Sequence, residues 1–237
     1  MLKSVNDNKI DIIDMSERDE DDDKDEIPNH PLMPTWPFRC LVVGRCGSGK
    51  TNVIKNMLMR GWLDYDTLFI MARELNQWKD VRETVEEIVA KNKNQKDNYM
   101  FSDELDMLPD IDKLDETKKH MMVLDDWAAL SAREQEPIID IFIRGRHRNL
   151  SSVYISQSYN RLPKTARLQC NFLIIFKGGN NTDIETLYND HISSMSMDEF
   201  KKVYHECTQE KYSFMVIDLI NPDKHLRKGF DKIYREE

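Results

Sequence analysis

Residues 44 to 51 read Gly44-Arg45-Cys46-Gly47-Ser48-Gly49-Lys50-Thr51, an unbroken match to G-x-x-x-x-G-K-[ST]. The chain has only 8 glycines, and the three in this run mark a built loop rather than a chance turn. Glycines let the backbone curl until successive N–H groups point inward, a concave nest for anions. A helix opening at Lys50 would add its own unsatisfied N–H groups and dipole. Lys50 supplies a point charge for the β- and γ-phosphates, and the Thr51 hydroxyl can ligate Mg²⁺. The chemistry expected here is binding of a nucleoside triphosphate with Mg²⁺.

Carboxylates come next. His120-Met-Met-Val-Leu-Asp-Asp-Trp127 ends an apolar block in two adjacent acids, and ligands of open α/β sheets bind at the carboxyl ends of strands. Asp125 is the candidate metal ligand and Asp126 the candidate base for an attacking water. Ser152-Val-Tyr-Ile-Ser-Gln157 ends a further apolar block in an amide that can hydrogen-bond both γ-phosphate and water. Just before it, Arg144-Gly-Arg-His-Arg148 offers three guanidiniums. One of them could stabilise transition-state charge on a neighbouring subunit's γ-phosphate. An arginine acting in trans requires a ring.

The elements that must position these groups are legible as blocks. Apolar runs predict strands over Phe38–Val43, Thr67–Met71, Met121–Leu124, Ser152–Ile155, Asn171–Phe176 and Tyr212–Leu219. Helical composition covers Lys50–Arg60, stopped by Gly61. Val81, Val85, Ile88 and Val89 give Asp80–Lys93 an amphipathic face. Ser131 and Glu134 form a capping box for a helix running through Phe142, and Thr182–Asp190 and Met197–Glu206 also read as helical. Strands alternating with helices predict a mostly parallel α/β sheet covered on both faces.

Charge divides the chain. Residues 1–35 carry 11 Asp/Glu against 4 Lys/Arg. The near-continuous run Glu17–Glu26 has nothing to bury, so a disordered acidic tail is expected, serving either solubility or docking. Pro28, Pro31, Pro34 and Pro37 make its junction a linker, which places the ATPase domain at residues 36–237. From Ile141 to Thr182 there is no acid at all, while seven Arg and Lys accumulate. That stretch should face nucleotide phosphate or nucleic acid, and Arg161, Lys164 and Arg167 are the candidates for DNA contact.

Several classes are excluded. No apolar run approaches the roughly 20 residues of a membrane span, and the first residues lack the apolar core of an export signal. The four cysteines are isolated, which argues against a zinc ribbon or a disulfide framework.

The ordered set resembles the FtsK/HerA superfamily of P-loop motors, and within it the genome-packaging ATPases of large DNA viruses, virophages and polinton-like elements. The resemblance spans about residues 36–235. It is carried by Gly44–Thr51, Met121–Asp126, Gly145–Asn149 and the placement of Gln157 eleven residues after Arg146; Leu226–Asp231 adds a lighter likeness. It implies a RecA-like core in a homo-oligomeric ring, pentamer or hexamer, with nucleotide between subunits and double-stranded DNA through the centre. By position, Lys50 and Thr51 bind phosphate and Mg²⁺, Asp125 the metal and Gln157 the γ-phosphate. Arg146 is then the trans arginine, with Arg148 second. Many members have Asp-Glu where this chain has Asp125-Asp126, which loosens the assignment of Asp126. The implied setting is a soluble protein in the host cytoplasm at sites of virus assembly or associated with the virion, docking on a capsid or portal-vertex protein. Two other readings stay open: a nucleotide or small-metabolite kinase, whose arginine lid the basic stretch would mimic, and an assembly adaptor that binds ATP without turnover.

Overall fold

The computed structural model describes residues 3–6, 10–15, 30–91, 98–127, 130–131, 133–178 and 181–235. At its centre lies β2 (Arg39–Val43). Leu41 and Val43 enter one apolar cluster and Cys40 and Val42 another. A strand buried on both faces must be apolar at every position, which is why this block shows no alternation.

Parallel partners extend the sheet on either side. In spatial order they are β4 (Tyr99–Ser102), β3 (Thr67–Ala72), β5 (His120–Asp125), β6 (Leu150–Ser156), β2 and β7 (Phe172–Phe176). Beyond β7 the sheet turns antiparallel through β8 (Phe214–Asp218), β9 (Leu226–Lys228), β10 (Lys232–Arg235) and β1 (Lys3–Asn6). The register aligns Val43 with Ser156 and Asp125 with Ile155. The segments following β2, β5 and β6 therefore emerge along one edge.

Two helices, α1 (Lys50–Met59) and α2 (Lys79–Lys91), cover one face through Val53, Ile54, Met57, Val81 and Val85. The other face is covered by α3 (Glu136–Arg144), α4 (Lys164–Arg167), α5 (Asn181–His191) and α6 (Met197–Thr208). Their anchors include Ile138, Phe142, Ala166, Ile184, Leu187 and Phe200. The expected doubly covered α/β sheet is the observed one, and its architecture is RecA-like.

Differences from the sequence expectation have local causes. The helix expected from Ser131 starts at Glu136, although Ser131 and Glu134 do bond each other at 2.6 Å. Gln135 N does reach Ser131 O at 3.2 Å, but Pro137 has no N–H to donate to Arg133, which leaves a gap in the helical ladder at that turn. The strands β4, β9, β10 and β1 were not expected. They hold three or four residues each, and lysines and arginines interrupt the apolar residues of β9 and β10, so none forms an apolar block long enough to read as a strand.

The solvated-tail expectation for residues 1–35 also meets a more complex arrangement. The acidic run Glu17–Glu26 lies outside the described residues. The described parts of this region all touch the domain. Lys3–Asn6 pairs with β10, while Leu32 and Met33 are buried in the cluster beside α1. Residues 10–15 lie antiparallel along α1. Asn52 donates to Ile13 O at 2.8 Å, Asn56 to the same oxygen at 2.9 Å, and Arg60 to Asp11 O at 2.7 Å. A count of charge cannot see this, because it takes in Asp11 and Asp14 and passes over the apolar residues Ile10, Ile12, Ile13 and Met15 between and beside them.

The Leu226–Asp231 run has a structural task. Arg227 is fully buried, donates to Asp218 Oδ2 at 2.8 Å and to Leu32 O at 2.6 Å, and ties the β9 hairpin to the segment preceding β2.

Candidate nucleotide-binding site

The loop joining β2 to α1 needs its glycines for stated reasons. A Cβ on Gly44 would lie 2.5 Å from the Cβ of Phe176. Gly49, the residue capping α1, sits at φ 99°, a left-handed backbone that side chains disfavour. The chain then enters α1, whose first-turn N–H groups face the cleft. Lys50 lies at the mouth of this nest, its Nζ donating to Gly44 O at 2.8 Å and Arg45 O at 2.9 Å. Burial lowers its pKa from the usual lysine value, and the charges of Asp125, Cys46 and Asp126 oppose that shift.

A cleft of about 670 Å³ opens over the loop. Its walls include Cys46 through Val53, Asp125, Asp126, Ser156 and Gln157, so the sequence-predicted phosphate, metal and sensor positions come together in one place. Gly44 N donates to Ser156 O at 3.2 Å, locking the loop to the β6 end that carries Gln157.

Asp125 ends β5 at 8 % exposure, and its Oδ2 accepts a 3.0 Å hydrogen bond from Trp78 Nε1. Burial lifts its pKa to about 6; the Asp126 charge adds to this, while the Trp78 bond, Lys50 and Lys55 pull against it. Asp126 follows at φ 61°, a left-handed backbone that aspartate tolerates better than most residues. Its side chain is exposed to the cleft. Immediately beyond it Trp127 is buried and donates to Met71 O at 2.9 Å, pinning the strained turn.

Among the described residues no group of three or more His, Cys, Asp or Glu could cage a metal. The donors present fit Mg²⁺ instead: one buried carboxylate, Asp125, and the Thr51 hydroxyl, with phosphates and water to complete the shell. Such an ion would neutralise charge between the β- and γ-phosphates.

The arginines are at the other end of the sheet. Arg146 sits in the turn Gly145–Arg148 that precedes β6, whereas Gln157 follows it. The strand between them spans about 23 Å, beyond the reach of an arginine side chain. Arg144 is paired with Asp112 and Asp140. Arg148 lies 3.6 Å from Glu116 and 3.9 Å from Asp112. Arg146 is exposed and has no carboxylate partner among the described residues.

The three residues expected to meet DNA divide. Arg161 and Lys164 are exposed in the segment leading out from Gln157. Arg167 is buried; its Nε donates to Asp190 at 3.2 Å and its guanidinium lies 4.8 Å from the Tyr159 ring centroid. It holds α4 to α5 and is not a surface cation, a distinction that a run of basic residues does not reveal.

Four contributors escaped the sequence reading: Trp78, Gln77, Tyr212 and the segment Ile12–Asp14, all in the cleft wall or bonded to Asp125. None belongs to a spaced motif, so only the fold could reveal them.

A family model described as "Poxvirus A32 protein" matches residues 30–230. Among solved structures, the genome-packaging NTPase B204 from Sulfolobus turreted icosahedral virus 2 in complex with ATP-gammaS aligns with a TM-score of 0.53 at 16% identity, covering 81% of this chain and 95% of that one. The same protein in complex with sulfate gives 0.54 at 16% identity, covering 81% and 96%. The DNA-packaging ATPase B204 from Sulfolobus Turreted Icosahedral Virus gives 0.52 at 15% identity, also covering 81% and 96%. At these identities the likeness establishes the fold. No curated protein sequence matches the chain significantly.

Proposed function

The chain belongs to the Poxvirus A32 protein family, and from that premise we propose that it is an ATP-hydrolysing motor that moves double-stranded DNA, packaging a viral genome into a preformed capsid. The observation that carries this reading is the division of labour along β6: a γ-phosphate sensor, Gln157, at one end and, at the other, Arg146, which has no carboxylate partner among the described residues. No single subunit can bring both to one nucleotide. Side-by-side packing in a closed ring can, with each Arg146 reaching a neighbour's γ-phosphate.

In the proposed cycle the loop N–H groups and Lys50 hold the triphosphate, Asp125 and Thr51 hold Mg²⁺, and Asp126 orients the attacking water. Gln157 touches the γ-phosphate while its own strand leads directly into the turn carrying Arg161 and Lys164. That turn is tied to α5: Asp183 accepts from Ser158 Oγ at 3.0 Å and from Asn160 Nδ2 at 2.7 Å. Loss of the γ-phosphate would therefore shift exposed cations as a unit with α5, which suits a surface that grips and releases DNA phosphates. The bound polymer is read by charge, so affinity should fall steeply with salt. A pentameric or hexameric ring, a capsid or portal-vertex partner, and action in the host cytoplasm at sites of virus assembly complete the reading.

The test is ATP turnover by the purified chain with and without double-stranded DNA, alongside the mass of the assembly. Stimulation by DNA in a ring-sized particle is expected. Phosphate transfer to a small acceptor, with no response to DNA, would overturn the motor in favour of a kinase.

A further inference from the structure

Tyr212 lies in the turn between α6 and β8, distant in sequence from every motif above. It sits at φ 65°, a left-handed backbone that a bulky residue adopts only under constraint from its surroundings. The residue is 56 % exposed. The position is specific: a Cβ built on Gly49 would lie 3.5 Å from Tyr212 Cδ1, so the ring stands beside the residue that caps α1. The Lys211 ammonium lies 4.7 Å from the ring centroid. Tyr212 also lines both the main cleft and a smaller one of about 310 Å³ that runs from Gly47 and Ser48 along the Gln209–Ser213 turn.

The chemistry of the main cleft is uneven. Lys50, Asp125, Asp126 and Gln157 supply charge and polarity, which suits phosphates and metal. Ile12, Ile13 and Val53 line it too, and these suit a flat apolar group. A nucleoside triphosphate needs both kinds of surface in one cleft. We infer that the Tyr212 ring is the platform on which the purine base of the bound nucleotide stacks. The left-handed turn serves to present that ring beside the phosphate loop. The inference rests on the proposed nucleotide site and adds a residue that discriminates a nucleotide from a bare phosphate chain.

Calorimetric titration of the full chain with MgATP and with magnesium tripolyphosphate separates the two contributions. Glycine accepts the left-handed backbone, so Tyr212→Gly removes the ring without straining the turn, and Tyr212→Phe keeps the aromatic face. Tyr212→Gly should weaken MgATP about tenfold, the scale of one base–aromatic stack, and leave tripolyphosphate unchanged. Tyr212→Phe should bind both as the parent does. Equal weakening of both ligands, or of neither, would overturn the platform while leaving the phosphate site intact. A parent protein that binds neither ligand would instead bring down the nucleotide reading itself.

Discussion

The two ends of β6 are built on opposite principles. At its carboxyl end the loop lysine and the buried carboxylate have internal company: Lys50 is bonded to two loop carbonyls, and Asp125 accepts from Trp78. At its amino end Arg144 and Arg148 have carboxylate partners, and among the described residues two other arginines do not. Arg146 has no carboxylate among the described residues, and the Arg39 guanidinium beside it has two buried nitrogens without a partner. Burial, followed by the charge of Arg146, holds Arg39 below the usual arginine value. Cations left near one another without an anion are costly for a single chain to keep. One end thus satisfies its lysine and buried carboxylate within the subunit, while the other keeps two neighbouring arginines for which the described residues supply no carboxylate, as the proposed shared site requires.

Breaking the complete end should give the largest effect. Lys50→Ala removes the cation from the phosphate nest, and MgATP affinity measured by titration should fall at least about a hundredfold, with turnover undetectable. Breaking the open end should look different. Arg146→Ala should leave MgATP affinity within about twofold yet lower turnover by on the order of 10³-fold, the scale of a missing arginine finger. If affinity and turnover fell together, Arg146 would belong to binding and the contrast between the ends would dissolve.

The next effects sharpen the comparison inside the cleft. Asp125 must be ionised to hold a metal. Its pKa is raised to about 6, so Mg²⁺-dependent turnover should decline as pH falls through about 6. The stability of the nucleotide-free chain should run the other way. The folded state binds this proton more tightly than the unfolded one, so this group's contribution is greatest at low pH and is lost as pH rises from about 4 to 6. Trp78→Phe removes a bond to the carboxylate, which should move the acid limb of the turnover profile to higher pH and cost about tenfold near neutrality. An unmoved limb would mean that Trp78 merely fills space.

The smallest effect is expected at Arg148. Its contacts with Glu116 and Asp112 are exposed surface pairs, so Arg148→Ala should change turnover less than about threefold and stability by less than about 1 kcal/mol. A loss comparable to that of Arg146→Ala would exchange the roles of the two arginines.

How much of this was readable beforehand follows from what kind of signal each part carries. Gly44–Thr51 was legible because phosphate binding demands particular residues at fixed spacing. The central strands β2, β3, β5, β6 and β7 were legible because burial on both faces demands unbroken apolar blocks. The short strands β1, β9 and β10 were not, since three or four residues with charges carry no periodicity. Trp78 bonds Asp125 across 47 residues, a pairing made by topology alone. Arg167 shows the limit of charge counting: its composition is that of a DNA contact, and its partner Asp190 lies 23 residues away, just outside the acid-free stretch. Likewise the charge count along residues 1–35, whose acidic run Glu17–Glu26 lies outside the described residues, does not anticipate Ile13, whose backbone is held by Asn52 and Asn56.

The account stands or falls on whether one nucleotide is served by two chains. Arg146→Ala keeps an intact cleft and lacks the arginine; Asp126→Asn keeps the arginine and lacks the base. Each variant alone should be nearly inert in an ATP turnover assay. Mixed in equal amounts before assembly, they should recover a substantial fraction of parental activity, because some interfaces then join a whole cleft to a whole arginine. A mixture no more active than its separate components, in particles shown to contain both chains, would contradict the shared site.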